Sequence, residues 1–249
     1  MPSRQITAER LSLSQDVNAA NGEVSLHGNK LLNCIAVMPG DNCFGVVLHS
    51  RWILALSNCA SNATKARVFV TGEKPTSLEL SLKEKTTRGE YVLFFTSKMS
   101  NVECPVLLGK TEPKLENRRF LIPVIPMQAC DKGMKFLVDS FFVSSANECS
   151  VEERGQKDGQ ICLSLEQKRS DKICNRSAGL PVVVTPDDGG GPRLLGLVRY
   201  VTPSSRNVRE KRGMQTSAVA ALSLSQLDLQ WIQRSRRSIG KAFFLHCLY

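Results

Sequence analysis

The chain has 249 residues, of which 42% are apolar, so it can bury one substantial core, and a single globular unit is expected. Its formal net charge of +10 indicates a basic surface that suits polyanions such as sulfated glycans or acidic protein surfaces. No stretch has the apolar length of a membrane-spanning helix, and no aromatic interleaving or zinc-finger spacing favours nucleic-acid binding.

Short apolar runs, rich in Val, Ile, Leu and Phe, recur between Gly, Pro, Asn and Ser, whereas helical periodicity is scarce. This pattern predicts an antiparallel β barrel or sandwich. Residues 1–32 are polar and predict a flexible lead-in to a β-rich domain over 33–238, with a tail over 239–249. The predicted strands are Phe44–Leu48, Arg67–Val70, Tyr91–Thr96, Phe120–Val124, Met134–Val143, Ile161–Leu165, Pro181–Val184 and Leu194–Tyr200.

The last third of the chain is basic and ends in a predicted helix. Residues 201–217 lack apolar periodicity and predict an exposed loop. Asp228 is the expected N-cap of the helix, with Leu224, Leu227 and Trp231 on one face. The segments Arg209–Arg212 and Arg234–Arg237 have the multibasic form that processing convertases cut, although uncut surface charge is the favoured interpretation of both.

Nine cysteines without a Cys-x-x-Cys pair indicate disulfides rather than zinc or redox chemistry, so no metal and no cofactor are expected. Asn62-Ala63-Thr64 and Asn175-Arg176-Ser177 are acceptor sequons, which make Asn62 and Asn175 candidates for N-glycosylation. Both features predict a secreted glycoprotein. The first 33 residues argue the other way, since they contain no apolar run long enough for a secretory signal.

The segments Cys43–Leu48 and Trp52–Cys59 resemble the strand–turn–strand of chymotrypsin/trypsin-like serine peptidases. In this alignment Asn58 stands where the family keeps its catalytic histidine. A carboxamide cannot take a proton from a serine hydroxyl near neutral pH. The resemblance also implies a Cys43–Cys59 disulfide, worth about 3 kcal/mol in the chain-entropy model.

The family's other catalytic positions fall in two further segments. Gly89–Phe95 is similar to the family's Asn-Asp-Ile-Met-Leu-Ile-Lys strand and places Glu90 at the histidine-orienting carboxylate. Cys174–Val183 resembles Cys-x-Gly-Asp-Ser-Gly-Gly-Pro-Leu-Val and places Ala178 at the nucleophile, where a methyl group cannot attack a carbonyl.

Four more positions depart from the family pattern. Arg176 replaces the oxyanion-hole glycine, and Ser177 replaces the aspartate that pairs with the freed N-terminal amine after activation cleavage. Leu195–Val201 is similar to the substrate-binding strand Gln-Gly-Ile-Val-Ser-Trp-Gly, with Arg199 in place of its serine. Lys172 falls near the base of the specificity pocket.

The resemblance implies an all-β fold of two packed six-stranded antiparallel barrels, chymotrypsin-like, with a C-terminal α-helix and a linker over 105–114. Cys149 and Cys162 fit a second family disulfide. No pairing follows for five cysteines, whose odd number implies a free or intermolecular thiol: Cys34, Cys104, Cys130, Cys174 and Cys247.

The favoured function is therefore that of a pseudoprotease, a catalytically inactive homologue that binds proteins as a cofactor, decoy or regulator of an active protease or pathway. One alternative is an active hydrolase with non-standard catalytic residues, for which only His27, His49 and His246 offer an imidazole. Another is a basic ligand for sulfated glycans, released by multibasic cleavage.

Overall fold

Twelve strands and two helices form the described part of the chain, in the mostly-β arrangement that the sequence predicts. The computed structural model describes residues 31–39, 43–49, 51–70, 76–97, 99, 102, 104, 106, 108, 115, 118–126, 136–144, 149, 159–165, 173–184, 191–202 and 218–246. Residues 1–30 of the predicted lead-in, most of the linker, most of the 201–217 loop and the Arg209–Arg212 motif lie outside these residues. Leu31 and Leu32, at the end of the predicted lead-in, are buried.

Six antiparallel strands close the first barrel in the order β1-β2-β3-β6-β5-β4. The strands are β1 (Ile35–Val37), β2 (Phe44–His49), β3 (Trp52–Leu56), β4 (Lys65–Val70), β5 (Thr76–Arg88) and β6 (Tyr91–Thr96). A short helix, α1 (Ser57–Ala60), follows β3 directly and carries Asn58.

Another six antiparallel strands close the second barrel in the order β10-β11-β12-β9-β8-β7. The strands are β7 (Phe120–Val124), β8 (Leu137–Val143), β9 (Gln160–Leu165), β10 (Pro181–Val184), β11 (Arg193–Thr202) and β12 (Ala218–Ser223). The predicted fold class, two six-stranded antiparallel barrels with a C-terminal helix, is confirmed.

Both faces of the central strands in the first barrel are buried, which explains their continuous apolar runs. In β6, Val92 and Phe94 pack in the barrel interior, whereas Tyr91, Leu93 and Phe95 belong to a cluster that includes second-barrel and helical residues. Because successive side chains of a strand point to opposite faces, a strand between two packed layers needs apolar residues at every position. The barrels are therefore joined by a shared apolar core.

The C-terminal helix α2 (Gln226–His246) begins earlier than the sequence predicts, and the expected N-cap is wrong. Ser225 Oγ accepts a hydrogen bond from the Asp228 backbone N–H at 3.2 Å, while the Asp228 carboxylate accepts one from the Ser225 N–H at 2.9 Å. This is a capping box, so Ser225 is the N-cap and Asp228 lies in the first turn. The helix runs to His246 and includes residues 239–246, which the sequence analysis assigns to a tail.

Three disulfides join described cysteines. Cys43–Cys59 and Cys149–Cys162 are the two pairs that the resemblance implies, and both are present. Cys34–Cys104 is a third pair, which the sequence left unassigned. Cys174 is also disulfide-bonded, to a cysteine beyond the described residues. Across the described helices, none combines the length and the apolar character that a membrane span requires.

Candidate functional site

Asn58 lies on α1 at the edge of the first barrel, and its side chain is exposed. The helix is held from two sides. The Ser57 backbone N–H donates to the Glu90 carbonyl oxygen at 2.8 Å, and the Cys43–Cys59 disulfide joins the helix to the start of β2. These contacts place Asn58 next to the β5–β6 turn that carries Glu90.

Ala178 lies in a tight loop of the second barrel, just before β10, and hydrogen bonds within the loop and to β11 fix its conformation. The buried Ser177 hydroxyl donates to the Cys174 carbonyl at 2.9 Å, and the Gly179 N–H donates to the Val198 carbonyl at 2.7 Å. Ser177 stands where the family keeps an aspartate for an ion pair. A neutral hydroxyl bonded within its own loop requires no buried counter-charge.

Gly179 lets this loop touch the first barrel. Its φ is +89°, and a Cβ atom built there would lie 1.9 Å from the Phe44 carbonyl oxygen. The Phe44 N–H also donates to the Ala178 carbonyl at 2.8 Å. Only glycine permits both the left-handed backbone and so close an approach.

These contacts bring three predicted site residues to the junction of the barrels. Phe44 follows Cys43, which is bonded to Cys59, the neighbour of Asn58. Ala178 is hydrogen-bonded to Phe44, and Glu90 is hydrogen-bonded through its backbone to α1. The candidate site is therefore the surface where the two barrels meet, and the name inter-barrel groove is used for the surface between Asn58 and Glu90 of the first barrel and Ala178 of the second.

The Glu90 carboxylate is engaged by Arg199 of β11 across this junction. Their closest nitrogen and oxygen atoms are 3.3 Å apart, and the Arg199 and Glu90 side chains are 15% and 29% exposed. The other Arg199 terminal nitrogen donates to the Gln160 side-chain oxygen at 3.1 Å. Two positions that the sequence identified separately thus form one ion pair, and their separation of 109 residues hid the contact from sequence analysis.

A second polar contact between the barrels lies beside this ion pair. The Tyr91 hydroxyl donates to the Leu222 carbonyl oxygen at 2.9 Å, joining β6 to β12. Burial, reinforced by the negative charges of Asp228 and Glu90, raises the pKa of Tyr91 far above its ordinary value. The phenol therefore stays protonated and keeps its role as a donor.

The remaining predicted site residues that the structure describes are exposed. Arg176 and Asn175 are exposed in the loop before Ala178, and Asn62 is exposed in the turn after α1. Lys172 lies outside the described residues. His49 is exposed at the end of β2.

Three predicted site residues at this junction present different chemical groups. Asn58 presents an amide, Ala178 presents a methyl group, and the Glu90 carboxylate is ion-paired with the Arg199 guanidinium. Among the side chains that the structure describes, no three of His, Cys, Asp and Glu are grouped so as to hold a metal ion. The junction therefore contains a partly buried ion pair that joins the two barrels.

Comparison with known proteins gives a structural match without a sequence match. No protein-family model and no curated protein matches the chain. Two solved structures of kallikrein-related peptidase 10, one of them a complex with Zn²⁺, superpose with TM-scores of 0.58 and 0.56. Each is 16% identical to the chain and covers 84% of it and 98% of its own length. At that identity the likeness defines the fold alone, and that fold is the one of the chymotrypsin/trypsin-like serine peptidases.

Proposed function

We propose that the chain is a catalytically inactive homologue of the trypsin-like serine peptidases that acts by binding protein partners. The observation that carries this proposal is the composition of the inter-barrel junction. In the alignment that the resemblance implies, an amide, a methyl group and an acid stand at the positions of the base, the nucleophile and the orienting carboxylate, and the acid is ion-paired with Arg199.

The substitutions support one another physically. A glutamate beside a neutral amide would be a partly buried carboxylate without a counter-charge, which is costly. Arg199 supplies that charge from the neighbouring strand. The acid is thereby kept as part of the barrel interface, and its oxygens no longer serve an imidazole.

The protein-binding part of the proposal follows from the scaffold. Two closed barrels with at least three disulfides form a rigid support that holds surface loops in fixed positions. Disulfides of this number also favour an extracellular setting, where active proteases of the same fold meet their regulators. A cofactor or decoy role for such a protease, or for its pathway, fits a molecule that keeps the shape and lacks the chemistry.

Labelling with a fluorophosphonate probe, which reacts with an active serine nucleophile, tests the loss of catalysis. The native chain and variants in which the catalytic residues are restored are treated with the probe in parallel. We expect no labelling of the native chain, while an active trypsin-like peptidase treated in parallel is labelled. Asn58→His alone remains inactive because Ala178 provides no nucleophile. Asn58→His with Ala178→Ser also remains inactive, since Glu90 is still paired with Arg199 and cannot orient the histidine.

Adding Arg199→Ser to the double variant removes the competing cation, and this triple variant is the one in which weak labelling is expected. Labelling of the native chain, or peptidase activity in the Asn58→His variant alone, would overturn the proposal. Circular dichroism of each variant controls for unfolding.

Sulfated-glycan binding is a second proposed function, and it rests on α2. The helical residues after Asp228 include four basic side chains and no acidic one, namely Arg234, Arg236, Arg237 and Lys241. Arg234 and Arg237 are exposed three residues apart on the helix, and burial lowers the pKa of Arg236. The helical conformation disfavours cutting at Arg234–Arg237, because proteolysis concentrates at exposed loops.

A further inference from the structure

The two glycosylation sequons of this sequence both lie beside the candidate site. Only two Asn-x-Ser/Thr triplets occur among the 249 residues, at Asn62 and Asn175. Asn62 follows Asn58 by four residues, and Asn175 precedes Ala178 by three. Sequons placed at random over the surface have no reason to fall next to both walls of one groove.

The contacts already described limit how far each asparagine lies from the groove. Three residues of chain reach at most about 11 Å, which is the largest distance from Asn62 to Cys59 or from Asn175 to Ala178. Cys59 and Ala178 are themselves joined by short contacts. The Cα atoms of Cys59 and Cys43 are 5.6 Å apart, and Phe44 bonds directly to Ala178.

Both asparagines have the exposure that a glycan requires. Asn62 lies in the turn between α1 and β4, with Thr64 also exposed, and Asn175 lies in a bend before the Ala178 loop. Ser177, the hydroxyl residue of the second sequon, is buried and bonded to Cys174. A glycan on Asn175 would therefore have to be attached before this loop closes, as happens when a chain is modified during its synthesis.

We propose that Asn62 and Asn175 both carry N-linked glycans that stand on either side of the inter-barrel groove and cover it. In the transfer step the Asn side-chain nitrogen forms a bond to the anomeric carbon of a lipid-linked oligosaccharide. The bond from that carbon to the lipid diphosphate breaks, and the amide proton is lost. A protein partner then binds outside the groove. This inference goes beyond the proposed function and does not depend on the loss of catalysis.

Intact-mass measurement of the full chain, directed into the secretory pathway of a mammalian cell line, tests occupancy. We expect two glycans, both removed by an amide-cleaving glycosidase. Asn62→Gln and Asn175→Gln each lose one of them. Thr64→Ala loses the same glycan as Asn62→Gln, whereas the matched Thr64→Ser variant retains it. An unoccupied asparagine at either position overturns the proposal.

Alkylation of a cysteine placed in the groove tests coverage. In Ala178→Cys, with Asn58→Cys as a second reporter, a large polyethylene-glycol maleimide is expected to react several-fold faster after deglycosylation. A small maleimide, which passes between glycans, reacts at the same rate before and after. Equal rates for the large reagent overturn the covering role. A chain that is unglycosylated yet unlabelled by fluorophosphonate overturns this inference and leaves the proposed function standing.

Discussion

Two glycines with left-handed backbone conformations differ in what surrounds them. Gly179 has a φ of +89° and abuts the Phe44 carbonyl, whereas Gly89 has a φ of +55° and no atom within 4 Å of the point that a Cβ would occupy. An alanine at 179 meets both backbone strain and a steric clash, so we expect Gly179→Ala to lower the free energy of unfolding by about 3 kcal/mol. Denaturant unfolding measures the loss.

Gly89→Ala is the matched control for this substitution. It imposes the left-handed conformation on a residue with a side chain but meets no neighbouring atom, so a loss of about 1 kcal/mol is expected. Equal losses in the two variants would show that the loop does not press against β2.

The raised pKa of Tyr91 predicts how stability depends on alkaline pH. In the unfolded chain a tyrosine ionises at about pH 10, whereas burial keeps the folded Tyr91 protonated well above that pH. The unfolded state then binds fewer protons than the folded one, so the free energy of unfolding falls as the pH rises.

Comparison with Tyr91→Phe isolates this effect. From pH 10 to 11, the free energy of unfolding of the native chain should fall by about 1 kcal/mol more than that of the Tyr91→Phe variant. Urea unfolding at each pH gives the difference. Parallel pH profiles for the two proteins would contradict an ionisation linked to Tyr91.

Single residues of the candidate site were predictable from the sequence, whereas the ion pair between two of them was not. Asn58, Glu90 and Ala178 follow from local motifs, and the structure brings all three to one junction. The Glu90–Arg199 ion pair depends on how two barrels meet, which no local pattern encodes. The resemblance indicates only a histidine-orienting position for Glu90, whereas in the structure its carboxylate pairs with Arg199 of the opposite barrel.

At the scale of the element, most strands with dense apolar runs were predictable, whereas β5, β12 and the three-residue β1 were missed. Tyr91–Thr96, Phe120–Val124 and Pro181–Val184 have the predicted bounds. The 13-residue β5 escaped because its alternation is mostly Ser, Thr, Glu and Lys on an exposed face. The Ala-rich β12 escaped because alanine is depleted in strands.

The basic face of α2 predicts salt-sensitive binding to heparin. The double variant Arg234→Ala, Arg237→Ala should elute from a heparin column at clearly lower salt than the native chain. With two fewer cations, its binding to heparin releases fewer counterions. The charge-matched control replaces two exposed basic residues of the first barrel, Arg67 and Lys83. Equal shifts in both double variants would indicate a response to net charge alone.

At the scale of the whole molecule, the two barrels share an apolar core, and polar contacts across their interface fix how one barrel is oriented on the other. A double-mutant cycle with Glu90→Gln and Arg199→Gln should give a coupling energy of about 1–2 kcal/mol, since the pair is partly buried. The Lys65–Glu79 pair is shorter, at 2.7 Å, but its side chains are 60% and 62% exposed. Water screens that control pair, so its coupling should be close to none.

Equal coupling energies for the two pairs would show that burial does not strengthen the Glu90–Arg199 pair. The apolar part of the interface was foreseeable, since strands that are apolar at every position require cover on both faces.

The Cys34–Cys104 disulfide has a consequence for how this protein would break. It ties the start of the first barrel to the chain that leaves it, 70 residues later. A single backbone cut anywhere between Cys59 and Cys104 would yield two fragments that remain covalently joined. On a non-reducing gel such a nicked molecule would migrate as one species, and only reduction would reveal the damage.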